Sequence, residues 1–248
     1  MAKTESHIPK LRFSGFSDAW NFFSLGKIFS QTTQYCDEND DIELWSLTVE
    51  KGLTPKTARY ERSFLVKKDD GYKKIEPNEF VYNPMNMTIG AVGYNYTNQI
   101  LAVSGYYVTM QIAKEQSISF FRSWLVSPNA LGLYKQYATG SLIEKQRVQY
   151  VTFAKIKHYF PLLEEQTKIG DFFQKIDQVI ELQQQALETA QDYKKSMLQK
   201  MFPQKGEKVP KVRFDGFSGD WKEDKLSNLG NISVGGDINK DLLSTNAT

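Results

Sequence analysis

Between Lys51 and Lys74 the chain carries eight basic residues, Lys51, Lys56, Arg59, Arg62, Lys67, Lys68, Lys73 and Lys74, against three acidic ones. Tyr60, Phe64 and Tyr72 are interleaved among them. Clustered cations with aromatic residues between them are the chemistry of a surface that meets a polyanion. A solvated strand–loop surface has the same composition, and the segment alone does not separate the two. Phosphates need Lys and Arg, whereas base edges need Arg, Lys, Asn, Gln, Ser or Thr on exposed loops. On those rules the candidate contacts are Lys51, Lys56, Arg59, Tyr60 and Arg62, then Lys73 and Lys74. Tyr94, Asn95, Tyr96 and Asn98 join them in an aromatic–amide turn, and Ser141, Lys145 and Arg147 follow Gly140. In the same turn Tyr94 and Tyr96 can equally cover a sheet edge while Asn95 and Asn98 serve the turn itself.

Other chemistries find little support. Cys36 is the only cysteine, which rules out an intramolecular disulfide and a cysteine-based zinc cluster. His7 and His158 lie far apart and read as surface or packing residues, so no metal is expected. No apolar run approaches the roughly 18 residues of a membrane span, and no signal-peptide core opens the chain. A cytoplasmic protein is the expectation. The net charge of +2 argues only weakly for a polyanionic partner, so the distribution of charge matters more than its sum.

The elements that would position these residues fall into two kinds. From Trp20 to about Phe160 strand and turn signals dominate: Ile42–Val49, Phe80–Tyr82 before Asn83-Pro84, Ile89–Val92, Ile100–Val103 and Tyr106–Ile112. Short helices are expected over Ser119–Val126 and Ala130–Tyr137, and a last strand or turn over Tyr150–Phe153 and Ile156. This predicts an α+β domain with a mixed or antiparallel sheet and short helices. After Pro161 the pattern changes. Leu163–Met201 contains no proline and one glycine, is rich in strong helix formers, opens on Glu164 and Glu165 and ends among lysines before Pro203. A helix of that length would measure roughly 58 Å. It is too long for the interior of the domain, so it must project. Its apolar stripe, drawn from Ile169, Phe172, Phe173, Ile176, Val179, Ile180, Leu187, Met197 and Met201, then needs a partner helix, although Gln183–Gln185 interrupts a strict seam.

Pro9-Lys10-Leu11-Arg12-Phe13-Ser14-Gly15-Phe16-Ser17-Asp18-Ala19-Trp20 returns 201 positions later as Pro210-Lys211-Val212-Arg213-Phe214-Asp215-Gly216-Phe217-Ser218-Gly219-Asp220-Trp221, with eight of twelve positions identical. That density marks an internal duplication. The expected division is a globular recognition domain over 1–160, a spacer and dimerisation helix over 161–202, and the opening of a second module over 203–248. The second copy runs out at Thr248, so a half-subunit, a truncated form or a fragment is expected.

The paired motif, the Phe80-Val81-Tyr82-Asn83-Pro84-Met85 segment, Gly140-Ser141 and the phrase Leu163-Glu164-Glu165-Gln166-Thr167-Lys168-Ile169-Gly170 opening the helix closely resemble the specificity subunit of type I DNA restriction–modification systems. The resemblance spans nearly the whole chain. It implies two target-recognition domains, each followed by a long helix, with the helices antiparallel and each domain reading half of a bipartite DNA site. This chain holds one such domain and one helix, so an antiparallel homodimer reading an interrupted palindrome is expected. The resemblance further implies a methylation subunit docked near the helices and a restriction subunit as partners. S-adenosylmethionine, Mg²⁺ and ATP would belong to those partners, and this chain would be non-catalytic.

Two other readings fit parts of the sequence. Asn83-Pro84-Met85-Asn86 is faintly similar to the Asn-Pro-Pro-aromatic motif of amino-methyltransferases, but it lacks the second proline and the aromatic residue. A coiled-coil scaffold with no DNA role would keep the helix and leave the basic segment merely solvated.

Overall fold

A computed structural model describes residues 9–36, 42–56, 71–140 and 146–230. The chain divides into two compact units, Met1–Ile180 and Glu181–Thr248.

In the first unit β1 (Asn21–Ser24), a single helical turn α1 (Leu25–Ile28) and β2 (Phe29–Thr32) lead into the hairpin β3 (Trp45–Thr48) and β4 (Gly52–Pro55). Then come β5 (Tyr72–Ile75), β6 (Phe80–Tyr82), a 3₁₀ turn at Met87–Ile89, β7 (Val92–Tyr94), β8 (Leu101–Ser104) and β9 (Val108–Ile112). Helices α2 (Ile118–Trp124), α3 (Pro128–Tyr137) and the one-turn α4 (Tyr150–Phe153) precede β10 (Lys157–Phe160) and the long helix α5 (Leu163–Met201). The class is α+β with antiparallel strands, and the strands divide among four small sheets rather than one. A four-stranded sheet runs β2-β9-β6-β7, and β1 pairs with β10, β3 with β4 and β5 with β8.

Strand β6 shows why the head holds together. Successive side chains of a strand point to opposite faces. Phe80 and Tyr82 enter one apolar cluster with Phe29, Met110, Phe121, Phe153 and Phe160. Val81, between them, enters a second cluster with Trp45, Leu47, Leu53, Ile75, Leu101 and Val103. The short run Phe80-Val81-Tyr82 is therefore buried on both faces, which explains its unbroken apolar character.

Helix starts follow capping chemistry. The Ser117 hydroxyl accepts from the Phe120 backbone N–H, and the Ser127 hydroxyl accepts from that of Ala130 with Pro128 in the first turn. The expected last strand or turn resolves into both: Tyr150–Phe153 forms the helical turn α4, and the last strand lies after it at Lys157–Phe160, opposite β1. Three-residue spacing puts Tyr150 and Phe153 on one side of that turn. There the Tyr150 hydroxyl donates to the Phe29 carbonyl at 2.7 Å, and Phe153 is wholly buried against Tyr82 and Phe29. Expected strand ends also shift: Ile89 closes the 3₁₀ turn and Tyr107 sits in the turn before β9, its N–H bonded to the Ser104 carbonyl.

Helix α5 spans the expected 39 residues, and its opening is fastened to the head by polar groups. Glu165 and Gln166, 2% and 1% exposed, are buried on a helix otherwise largely exposed. Arg12 Nε and Nη2 donate to the two Glu165 carboxylate oxygens at 2.6 Å each. That bidentate geometry is the strongest ordinary ion pair. Glu165 in turn raises the Arg12 pKa, chiefly through these hydrogen bonds. Gln166 accepts from the Ser117 N–H and donates to the Gln116 side chain and the Pro161 carbonyl, so it ties the start of α2 to the start of α5. At Gly170 an added Cβ would lie 2.4 Å from the Phe120 backbone nitrogen and 2.3 Å from the Ser119 hydroxyl. Only glycine permits that approach. From Asp171 to Ile180 every residue of α5 is exposed.

The second unit holds the remainder of α5 and the repeated motif. The Val212 N–H donates to the Lys200 carbonyl, the Trp221 N–H to the Lys208 carbonyl, and the Phe202 and Trp221 rings meet edge-on at 5.8 Å. A short turn, α6 (Leu226–Leu229), follows.

Candidate nucleic-acid interface

Three elements bring cations and rings together on the head. The β3–β4 turn supplies Lys51, β7 and the loop after it supply Tyr94 and Tyr96, and α2 supplies Arg122. These four line one open cavity of about 180 Å³ floored by Leu53, Phe80, Val92 and Gly93. Gly93 is what lets the hairpin close on β7: a Cβ there would stand 2.6 Å from Leu47 and 3.1 Å from Leu53. The Arg122 guanidinium lies 5.2 Å from the centre of the Tyr94 ring, a cation–π distance. The Tyr94 hydroxyl donates to the Asn78 side-chain carbonyl, and partial burial raises the Tyr94 pKa against the lowering effect of Arg122. Tyr96, 61% exposed, rests edge-on against Trp45 at 6.1 Å. The cavity thus offers two cationic side chains and two phenol rings at one opening. That combination suits phosphate neutralisation and stacking on a base.

The expected contact residues divide sharply on this geometry. Lys51, Tyr94 and Tyr96 converge at the cavity, and Arg122 joins them without having been expected from the sequence. Its signal was its place on the polar side of a short amphipathic helix, which identifies exposure but not neighbours. Asn95 is a correction. It is wholly buried, its Nδ2 donates to the Ile75 and Gln99 carbonyls, and its Oδ1 accepts from the Thr97 N–H and hydroxyl. A side-chain amide has two donors and two acceptor positions, so nothing remains for a base edge. Lys73 is also a correction: its ammonium is buried, donates to the Tyr107 carbonyl at 2.8 Å and lies 5.8 Å from the Tyr35 ring centre. Burial lowers its pKa.

Among the rest, Asn98 and Arg147 are exposed, and Lys56 and Lys74 are half-buried. Arg147 exchanges backbone hydrogen bonds with Thr139 at the base of the loop after α3. Arg59, Tyr60, Arg62, Ser141 and Lys145 lie outside the described residues. His158 packs between the Trp124 and Phe160 rings, and burial lowers its pKa, so it is a neutral packing group. Asn83-Pro84-Met85-Asn86 forms a turn in which the Asn83 side chain accepts from the Met85 N–H and the Pro84 carbonyl accepts from the Val148 N–H. No group of His, Cys, Asp and Glu suited to a metal occurs among the described residues. No helix there is long and apolar enough to cross a membrane.

The expected helix-interface residues lie along one side of α5. Ile169 is half-buried against the head, while Phe172, Phe173, Ile176, Val179, Ile180 and Leu187 are between 38% and 59% exposed. Met197 and Met201 are half-buried within the second unit.

No protein-family model matches the chain, and no curated protein matches it. Solved structures do. A chain from work on complex assembly and conformational transition of the type I R-M system has a TM-score of 0.48 and 13% identity, covering 73% of this chain and 45% of its own length. The HsdS subunit from Thermoanaerobacter tengcongensis has a TM-score of 0.42 and 11% identity over 70% of this chain and 42% of its own. This chain spans less than half the length of each structure compared. The type I restriction–modification S subunit from M. genitalium stands beside them, with a TM-score of 0.47 and 14% identity over 74% of this chain and 46% of its own.

Proposed function

We propose that the chain is a non-catalytic, sequence-specific DNA-recognition subunit of a type I restriction–modification complex. Its head reads one half of a bipartite site. The observation that carries this reading is the convergence of Lys51, Arg122, Tyr94 and Tyr96 on one cavity of a head continuous with an unbroken 39-residue helix. The resemblance of the paired motif and of the helix-opening phrase supports it independently.

On this reading α5 pairs antiparallel with a second copy through Phe172, Phe173, Ile176, Val179, Ile180 and Leu187, so that two identical heads read an interrupted palindrome. Base-edge readout is local, and one head covers only a few base pairs. A rod of roughly 58 Å would hold two heads about one and a half to two DNA turns apart. The methylation subunit docks along the paired helices, and the restriction subunit joins the same assembly. Division into a recognition domain over 1–160, a spacer helix over 161–202 and the start of a second module over 203–248 belongs to the same proposal.

The test is selection from a pool of randomised duplexes, preceded by salt-dependent retention on heparin. Enrichment of two inverted half-sites with a fixed unread spacer is the expected result. Heparin retention with no enriched sequence, or no retention at all, would leave the chain a scaffold.

A further inference from the structure

The Tyr94 hydroxyl has one proton to give, and the fold has already used it. Glu76-Pro77-Asn78-Glu79 closes as a tight turn: the Glu79 N–H donates to the Glu76 carbonyl at 3.1 Å, and Asn78 has a φ of 70°. Proline in second place and a positive φ in third make this a type II turn, where glycine is least strained and asparagine is tolerated. Asparagine brings something glycine lacks. Its side-chain carbonyl accepts the Tyr94 hydroxyl proton. Backbone bonds stitch the two segments together, from the Asn78 N–H to the Asn95 carbonyl at 3.0 Å and from the Asn95 N–H to the Glu79 carbonyl at 2.9 Å. Tyr94 stands opposite Phe80 in the β6–β7 pair, the ring centres 5.1 Å apart, and carries the Arg122 guanidinium 5.2 Å from its own centre. The direction of the hydroxyl is therefore fixed by the core, while its bond to Asn78 lies open to solvent and its ring lines the cavity. Partial burial raises the Tyr94 pKa, so the phenol keeps its proton at neutral pH.

A phenol hydroxyl donates once and otherwise accepts on its lone pairs. With the proton spent on Asn78, only the acceptor side is left for a ligand. Along a duplex the phosphate and deoxyribose oxygens are acceptors as well, so the DNA backbone offers this hydroxyl nothing. The donors that duplex DNA presents in its grooves are exocyclic amines: adenine N6 and cytosine N4 in the major groove, guanine N2 in the minor groove. We propose that Asn78 is a positioning residue that makes Tyr94 a reader of such an amine, so that the hydroxyl selects adenine or cytosine over guanine or thymine at one base pair of the half-site. The proposal rests on the DNA-recognition reading above and adds to it the chemistry of one base contact. Lys51 and Arg122, at the same cavity, remain for phosphates. Because the turn, Phe80 and Arg122 hold the ring before DNA arrives, the contact costs little ordering on binding.

The full chain, its Tyr94→Phe form and its Asn78→Gly form, carried through one selection on randomised duplexes, test this. Tyr94→Phe should lose about three- to tenfold of the preference at a single position, the range of one hydrogen bond, with the other positions unchanged. Asn78→Gly suits the backbone of the turn, so the fold is kept, and it hands Tyr94 its proton back. Guanine and thymine, whose O6 and O4 accept, should then be admitted at that same position alone. A preference for G·C over A·T there, lost in Tyr94→Phe, would support the same amine contact from the minor groove. A side chain that only packs would lower affinity for every sequence alike and move no single position. Motifs unchanged in both variants, or affinity that falls evenly, would overturn the assignment and leave DNA recognition standing. No motif from the native chain would overturn both.

Discussion

Glu79 carries the clearest electrostatic consequence of the fold at the scale of one residue. Its carboxylate is 3% exposed, and Oε2 accepts from the Glu76 N–H at 2.9 Å. Burial raises its pKa, with the Glu76 N–H, Gln111 and Thr32 opposing the shift. The folded chain therefore keeps this proton to higher pH than the unfolded chain does. Stability falls as pH rises from the ordinary glutamate range through the raised one. Glu79→Gln keeps an acceptor for the Glu76 N–H and removes the charge. It should raise Tm at pH 7 and flatten the fall in Tm between acid and neutral pH, measured by thermal melts across that range. At the cavity, Lys51→Ala and Arg122→Ala should each weaken duplex binding and reduce the slope of log K against log salt by about 1, if each neutralises one phosphate. Anisotropy titrations over a salt series read both numbers. Composition singled out Lys51, Tyr94 and Tyr96, which the fold brings to one cavity, but it could not say which of the other candidates stay free. Asn95 and Lys73 carry the side chains that recognition needs, yet both are consumed by the fold, and only their partners reveal it. Arg122 was invisible for the opposite reason, because its neighbours Tyr94 and Lys51 come from distant segments.

At the scale of elements, the best-read part of the chain was the longest. A 39-residue helix with acidic and basic ends follows from local propensity and a proline stop, so α5 was legible to its last residue. Three- and four-residue segments were not. Tyr150–Phe153 has strand composition and becomes a helical turn because Phe29 and Tyr82 wait on one side of it. The role of Glu165, Gln166 and Gly170 was equally hidden: their spacing showed a helix start, while their burial depends on Arg12 and Ser117. Gly170→Ala tests that docking. The new methyl meets the Phe120 backbone, which cannot rotate away, so the cost should be about 1–3 kcal/mol. For a domain of this size that lowers Tm by about 2–4 °C per kcal/mol, read by calorimetry. A second test concerns the rod. Inserting about one heptad at Gln183–Gln185 lengthens α5 by roughly 10 Å while restoring the face of the stripe. The selected spacer should then grow by about three base pairs with the half-sites unchanged. Unaltered spacing would remove α5 as the ruler.

For the whole molecule the proposed pairing turns on how strongly two helices would hold two heads. The stripe residues Phe172, Phe173, Ile176, Val179, Ile180 and Leu187 are about half exposed, so pairing buries only part of each. At about 1 kcal/mol apiece, two helices gain on the order of 10 kcal/mol. Association costs about 4–15 kcal/mol in lost freedom. On the proposed pairing the balance predicts a reversible dimer rather than a permanent one, and duplex DNA bearing both half-sites should shift it toward the pair by mass action. Ile176→Glu combined with Ile180→Glu places a like-charged patch on the seam without touching the head core or the cavity. In sedimentation at micromolar concentration the native chain should populate dimers that increase on adding the palindromic duplex, and the variant should stay monomeric in both conditions. The variant's head keeps its own contacts, so it should still bind one half-site, with about half the native salt slope because half the phosphates are engaged. A variant that dimerises as the native chain does would show that the exposed stripe is not the seam, and one that loses all DNA binding would show that a single head does not read its half-site alone.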